Sequence, residues 1–162
     1  MADEFYVSIE GTKQGKFKGE SFKEAHKEKI RGLGFSYEVK SPHDTATGQP
    51  RGKRQHTPIT ITKPWGAATP QIFQALVTNE VLKRVVIEFV HTTPEGAEEI
   101  YHRITLSEAA IVQLKQYTQS ATTLEQGVLD EKSELEDVSF SFKRIEMTNL
   151  WGKTSATDEW DK

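Results

Sequence analysis

Cysteine is absent from the 162 residues of the chain. This absence excludes a disulfide framework, a thiolate zinc site and a cysteine nucleophile. Long apolar runs are absent too, so the sequence predicts no membrane insertion. The acidic start, Met1-Ala2-Asp3-Glu4, lacks the basic and apolar regions of a signal peptide, and we expect none.

The chain also lacks a strong charge of one sign. Its net charge is −3 with both signs interspersed, which favours no general binding to nucleic acid or anionic lipid. The one basic cluster, Arg51-Gly52-Lys53-Arg54, has no aromatic residues interleaved with it. We therefore predict no nucleic-acid partner and assign this cluster to an exposed edge or a protein contact.

The apolar residues mostly recur with the period of β-strands. Phe5, Val7 and Ile9 alternate with the residues between them, which predicts a strand with one buried face. Residues 31–39 form a second alternating run, whose glycines favour close approach or strong curvature. Residues 138–142 predict a last strand, and a change of phase after it indicates a bulge near Lys143 or Arg144.

A helix is predicted around residues 69–78. Thr69 is the expected N-cap, and Pro70 occupies the first helical position, where a missing N–H is tolerated. The buried stripe of this helix is predicted to contain the apolar residues Ile72, Phe73, Leu76 and Val77.

A β-hairpin is predicted after the helix. Residues 85–91 and 100–106 flank Glu95-Gly96-Ala97-Glu98, where glycine suits the first position of a two-residue turn. In that register the facing pairs are His91 with His102, Phe89 with Ile104, and Ile87 with Leu106.

Other segments are left open by their composition. Residues 109–117 are compatible with helix or strand, and residues 21–24 with a short helix or a loop. Residues 41–56, polar and rich in proline and glycine, predict a long loop, and residues 119–134 form a long polar segment. The residue pattern as a whole predicts a single mainly β domain over 1–162. Its form is a compact antiparallel barrel or sandwich of two packed sheets with one side helix.

The predicted pair His91 and His102 is the only constellation that could bind a metal or move a proton. No third ligand can be assigned, and the carboxylate runs are typical of solvated surface. The serines lack a nucleophile-elbow pattern. We therefore predict no enzyme, no catalytic residue and no cofactor. The alternative is a small barrel that binds a ligand or a metal through His91 and His102.

In order along the chain, several segments resemble the hemolysin-coregulated protein (Hcp) family, the inner-tube proteins of type VI secretion. They are FYVSIEG at 5–11, GFSYEV at 34–39, GKRQHTPITITK at 52–63, ATPQIFQAL at 68–76, the region 124–142 with LEDVSF, and the closing Asp158-Glu159-Trp160. The resemblance implies a compact β-barrel with a side helix, in which residues 109–117 are a strand. It also implies homohexameric rings that stack into an expelled tube.

The same resemblance implies the partners and the location of the protein. These partners are further copies of the chain, a VgrG-type spike protein, a contractile sheath, and small effectors carried or chaperoned in the tube lumen. The protein would lie in the bacterial cytoplasm before firing and outside the cell afterwards. Residues 41–56 would reach the neighbouring ring, so the predicted contact residues there are Pro42, His43, Asp44, Gln49, Arg51, Lys53 and Arg54. Trp65, outside this loop, is predicted to be a packing or interface residue and is the eighth candidate for a subunit contact.

Overall fold

The computed structural model describes residues 4–21, 23, 26–118 and 134–161. The predicted mainly β class is confirmed, because this part of the chain contains a single helix among its strands. The elements are β1 (Phe5–Gly11), β2 (Gly15–Lys16), β3 (Ile30–Gly32), β4 (Gly34–Ser36), β5 (Val39–Lys40), β6 (Gln55–His56), β7 (Ile59–Pro64), α1 (Thr69–Val77), β8 (Leu82–Thr92), β9 (Glu98–Thr118), β10 (Glu134–Ser141), β11 (Arg144–Asn149) and β12 (Thr154–Glu159).

All strand pairs are antiparallel, and two layers share β9. Sheet A contains β1, β2, β3, β8, β11, β12 and the first half of β9, whereas sheet B contains β4, β7, β10 and the second half of β9. The ladder order β2-β1-β8-β9-β10-β7-β4 is open at both ends among the described residues. A fully closed barrel is therefore not formed by these ladders.

Strand β9 joins the two sheets without a break. It pairs with β8 up to Ala109 and with β10 from Ala110 onwards. Glu108, beside this change of partner, has a φ of 49°, an uncommon value for a residue other than glycine. Residues 109–117, which composition left open, are thus a strand, as the family resemblance implied.

Side chains from both sheets and from α1 fill the space between the layers. Ile9, Ile61, Ile87 and Phe140 are at most 1% exposed, as expected for the inward face of alternating strands. The end of this core is covered by Ile72 and Ala75 of α1. Burying such apolar area is the main stabilising term for the fold.

The predicted buried stripe of the helix is only partly right. Ile72 is buried and Leu76 packs against the core, but Phe73 is 56% and Val77 55% exposed. The small residue Ala75 takes the place beside Ile72 that the sequence pattern gave to Phe73. Ala68 is the N-cap residue, one position before the predicted Thr69.

Two predicted continuous strands are corners between sheets. Residues 31–39 divide into three short strands, because β3 pairs with β1 in sheet A and β4 pairs with β7 in sheet B. A Cβ added at Gly32 would overlap the Phe5 ring, so the predicted close approach is confirmed. The phase change near Lys143 is the crossing from β10 in sheet B to β11 in sheet A rather than a bulge within one strand.

The predicted register of the β8–β9 hairpin is wrong by two residues. Phe89 pairs with His102 and Ile87 with Ile104, so His91 faces Glu99 instead of His102. The turn is longer than predicted, since the Thr93 N–H donates to the Ala97 carbonyl and the strands end at Thr92 and Glu98. An irregularity between Phe89 and Val90 shifts the ladder further.

The two remaining open segments are only partly described. Residues 119–133 of the polar segment lie outside the described residues, and Glu134 begins β10. Phe22 and Glu24 of the capping-box segment also lie outside them. The single-domain interpretation of 1–162 therefore stays a prediction.

Candidate assembly site

The loop predicted at residues 41–56 is an ordered hairpin, which we call the arm. Its base is the β5–β6 ladder, in which Val39 pairs with His56, and His43 and Pro50 form a further bridge. At the tip, the Asp44 carboxylate accepts the Ala46 N–H at 2.7 Å. Residues 45–53 are all exposed, so the arm presents polar side chains and backbone to its surroundings.

The base of the arm is fixed to the last strand by a two-pronged salt bridge. Arg54 donates from Nε and Nη2 to the two carboxylate oxygens of Asp158, each at 2.5 Å. A further bond from Nη2 reaches the Glu159 carbonyl at 3.2 Å. The fork of an arginine matches a carboxylate, so this contact sets direction as well as proximity. We call this contact, together with His56, the clamp.

His56 completes the clamp from inside the fold. Its Nε2 lies 2.8 Å from Asp158 and its Nδ1 lies 2.7 Å from the Tyr37 hydroxyl, while its side chain is only 2% exposed. The ring stacks on Trp160 at 5.7 Å and meets Phe142 edge-on at 5.4 Å. The arm base is therefore held by both packing and charge.

The charges at the clamp shift two pKa values. Hydrogen bonds from Arg54, which have the larger effect, and from His56 hold the pKa of Asp158 well below its usual range. Burial, together with the charge of Asp158, raises the pKa of Tyr37. Asp158 thus remains ionised over the neutral range, which keeps the salt bridge intact.

The structure brings seven of the eight predicted contact residues together on the arm. They are Pro42, His43, Asp44, Gln49, Arg51, Lys53 and Arg54. Trp65 lies apart from them, after the far end of β7, where its indole N–H donates to the Leu135 carbonyl at 2.8 Å. Its ring is 40% exposed, so it forms a separate apolar spot.

The predicted histidine pair is not formed. The His91 ring stacks on Tyr101 at 4.4 Å and contacts Trp151, whereas the His102 ring lies 5.9 Å from Phe89. Within the described ranges, no three histidine and acidic side chains are placed to hold a metal ion. The β8–β9 register thus separates the two histidines that the alternative, a small barrel binding a ligand or a metal through His91 and His102, requires to face each other.

A cluster of buried charged residues lies beside α1 and was not predicted from the sequence. Lys63, fully buried, lies 2.5 Å from Glu136 and 3.1 Å from Glu20. Glu20 accepts the Ala68 N–H at 2.8 Å, and the Thr69 hydroxyl donates to Glu136 at 2.9 Å. The cluster therefore joins the start of α1 to β7, which carries Lys63, and to β10, which carries Glu136. Burial raises the pKa of Glu20. The signal in the sequence was Lys63 itself, on the inward phase of Ile59 and Ile61.

The fold and the clamp define a mainly β protein that carries an exposed polar hairpin fixed at its base. The family described as "Type VI secretion system effector, Hcp" matches residues 6–149, and the chain belongs to this family. A "Major exported protein" of Pseudomonas aeruginosa is 34% identical, over 99% of this chain and 96% of the relative. The resemblance found in the sequence is thereby confirmed.

Solved structures agree with the family. A crystal structure of an Hcp protein has a TM-score of 0.91 at 26% identity, covering 99% of both chains. The secreted protein Hcp3 from Pseudomonas aeruginosa has a TM-score of 0.81 at 30% identity, covering 99% of this chain and all of the other. Within the described ranges, no helix is long and apolar enough to cross a membrane.

Proposed function

We propose that the chain is a structural subunit of the type VI secretion tube. Copies close into hexameric rings, and the arm of one ring contacts the next ring. The observation that carries this proposal is the clamped arm, because residues 45–53 are exposed while the base is fixed by Arg54, His56 and Asp158. A rigid protrusion loses little conformational entropy on docking, which favours ordered stacking.

The physics of closed assembly supports the same proposal. A head-to-tail contact between different surfaces closes into a ring when its rotation fits, and otherwise gives an open fibre. The contact of the arm with the next ring would be head-to-tail and would not close, so rings would add to one another into an open stack. Stacking would use the predicted contacts Pro42, His43, Asp44, Gln49, Arg51, Lys53 and Arg54, with Trp65 as a separate contact.

Family membership supports the remaining parts of the proposal. The partners would be a VgrG-type spike protein, the contractile sheath and small effectors held in the lumen. The protein would be assembled in the cytoplasm and then exported, in keeping with the name of its relative from Pseudomonas aeruginosa. Its role would be structural rather than enzymatic.

Electron microscopy of the purified protein tests the proposal. We expect annular particles with an open centre and sixfold symmetry, and a hexamer mass in light scattering. A protein that stays strictly monomeric at high concentration by both methods would contradict it. Arg54→Gln is the informative variant, because it should keep the ring but reduce stacking. Lys16→Gln, an exposed change on β2, is its control.

A further inference from the structure

A row of paired residues on the outer face of sheet A is centred on Ser107. In the ladders, Ser107 of β9 pairs with Arg84 of β8 on one side and with Arg144 of β11 on the other. Residues paired in this way point their side chains to the same face of a sheet. The three side chains line a shallow depression of about 570 Å³.

The two arginines of this row are available to bind an anion. In the described part of the chain, neither Arg84 nor Arg144 forms an ion pair, and both are exposed. Arg103, which lines the same depression, differs because it donates to Glu88 at 3.2 Å. Glu88 is also bound by Lys29 at 2.5 Å, so its charge is already balanced. The depression is lined by three arginines and two glutamates, so the side chains around the Ser107 hydroxyl carry a net charge of +1.

Acidic residues bound the row at both ends. Glu10 of β1 pairs with Arg84, and Glu159 of β12 pairs with Arg144. The order across the sheet is therefore acid, base, hydroxyl, base, acid. A compact anion at the centre meets both guanidinium groups, whereas an extended polyanion such as nucleic acid would meet the flanking carboxylates.

We propose that this depression binds one compact oxyanion, a phosphate or a carboxylate group. Arg84 and Arg144 donate to its oxygens, and the Ser107 hydroxyl donates a further hydrogen bond. Charge-assisted bonds from arginine to such groups are short and directional, which suits a small site. Glu146 also lines the depression and weakens the site, because it places a negative charge beside Arg144. The proposal is independent of ring and tube formation.

Titration with inorganic phosphate, followed by amide NMR shifts at matched ionic strength, tests the site. We expect a saturable shift at Ser107 that sodium chloride does not reproduce. Arg84→Gln and Arg144→Gln should each weaken binding about tenfold, the loss expected for one charged hydrogen-bond partner. Glu146→Gln should tighten binding. Lys115→Gln, an exposed change on the half of β9 that pairs with β10 in sheet B, should leave it unchanged.

A second probe separates the two sources of oxyanion. Sodium acetate that gives a saturable shift at Ser107 supports a site for a carboxylate group of a partner protein, whereas a shift with phosphate alone supports a phosphoryl group. The proposal is overturned if neither probe gives a saturable shift at Ser107, or if the Arg84→Gln/Arg144→Gln double variant responds like the wild type. Urea unfolding of each variant checks that these exposed changes leave the fold intact.

Discussion

Asp158 is the residue on which the orientation of the arm depends, and its ionisation predicts a dependence on pH. The folded-state pKa of Asp158 lies well below the unfolded-state value of about 3.8. The clamp therefore stabilises the fold fully above that pH, and its contribution is lost as the pH falls through the lower folded-state pKa. Asp158→Asn should remove this contribution and flatten the acid limb of the stability profile.

Urea unfolding measured from neutral to strongly acid pH checks this prediction. The difference in free energy of unfolding between wild type and Asp158→Asn should be largest near neutrality and should shrink below about pH 4. The exposed neighbour Asp161 provides the control Asp161→Asn, which should follow the wild-type profile. A difference that stays constant with pH would contradict the assignment.

Lys63 carries a charge that is buried rather than exposed, and its contribution to stability can be measured by substitution. Lys63→Met should lower the free energy of unfolding by about 3–5 kcal/mol, because it leaves Glu136 and Glu20 buried without their cation. Adding Glu136→Gln to that variant should recover part of the loss, as measured by urea unfolding. Equal stability of the single and double variants would mean that the pair is not coupled.

At the residue scale, the sequence predicted the residues of the arm but not the partners of Arg54 and Lys63. The arm residues could be predicted because they lie together along the chain, as a polar run rich in proline and glycine. Asp158 is separated from Arg54 by 104 positions, and no local pattern indicates which of the many carboxylates pairs with it. Lys63 interrupts an apolar face, yet only the folded structure provides its partners on β10 and near α1.

At the scale of elements, the corner between β3 and β4 depends on Gly32. Gly32→Ala should destabilise the fold by about 1–3 kcal/mol, because its Cβ would overlap the Phe5 ring in the core. Gly34→Ala is the matched control. Its Cβ would come no closer than 3.2 Å to Thr62, so a smaller loss is expected. Thermal unfolding of the two variants distinguishes them, and equal losses would refute a specific role for the Phe5 contact.

The face of α1 that enters the core gives a second prediction at this scale. Ile72→Ala should cost about 2–5 kcal/mol, the range for truncating a fully buried aliphatic side chain. Phe73→Ala should cost less than about 1 kcal/mol, since more than half of its side chain is exposed. Urea unfolding measures both losses of unfolding free energy. A larger loss for Phe73→Ala than for Ile72→Ala would contradict the exposed position of Phe73 and favour the buried stripe predicted from the sequence.

The elements show why local patterns predicted β1, α1 and β10 but not the hairpin register. Period-two alternation identifies a strand and its inward face, as Phe5, Val7 and Ile9 illustrate. A register depends also on turn length and on irregularities such as that between Phe89 and Val90. In α1, Ile72 enters the core as predicted, but the small side chain of Ala75, which the predicted stripe omitted, is buried as well, whereas Phe73 and Val77 are exposed.

For the whole molecule, the absence of cysteine allows a clean test of stacking. Gln49→Cys places a single thiol on the exposed arm, and Glu95→Cys places one on the exposed β8–β9 turn. A bulky maleimide at Cys on the arm should prevent rings from stacking but leave single rings intact in electron micrographs. The same label at position 95 should have less effect. Equal loss of stacking at both positions would contradict a special role for the arm.

The continuity of strand β9 has a mechanical consequence for the two layers of the fold. Because β9 is continuous from Glu98 to Thr118, it belongs to both layers, and tension between them runs along covalent bonds. To separate the layers, β9 would have to detach from β8 and β11 or from β10, and the apolar core would be exposed to water. The continuous backbone of β9 therefore holds the two layers together. A cut within β9 would weaken their resistance to force far more than a cut in any surface turn.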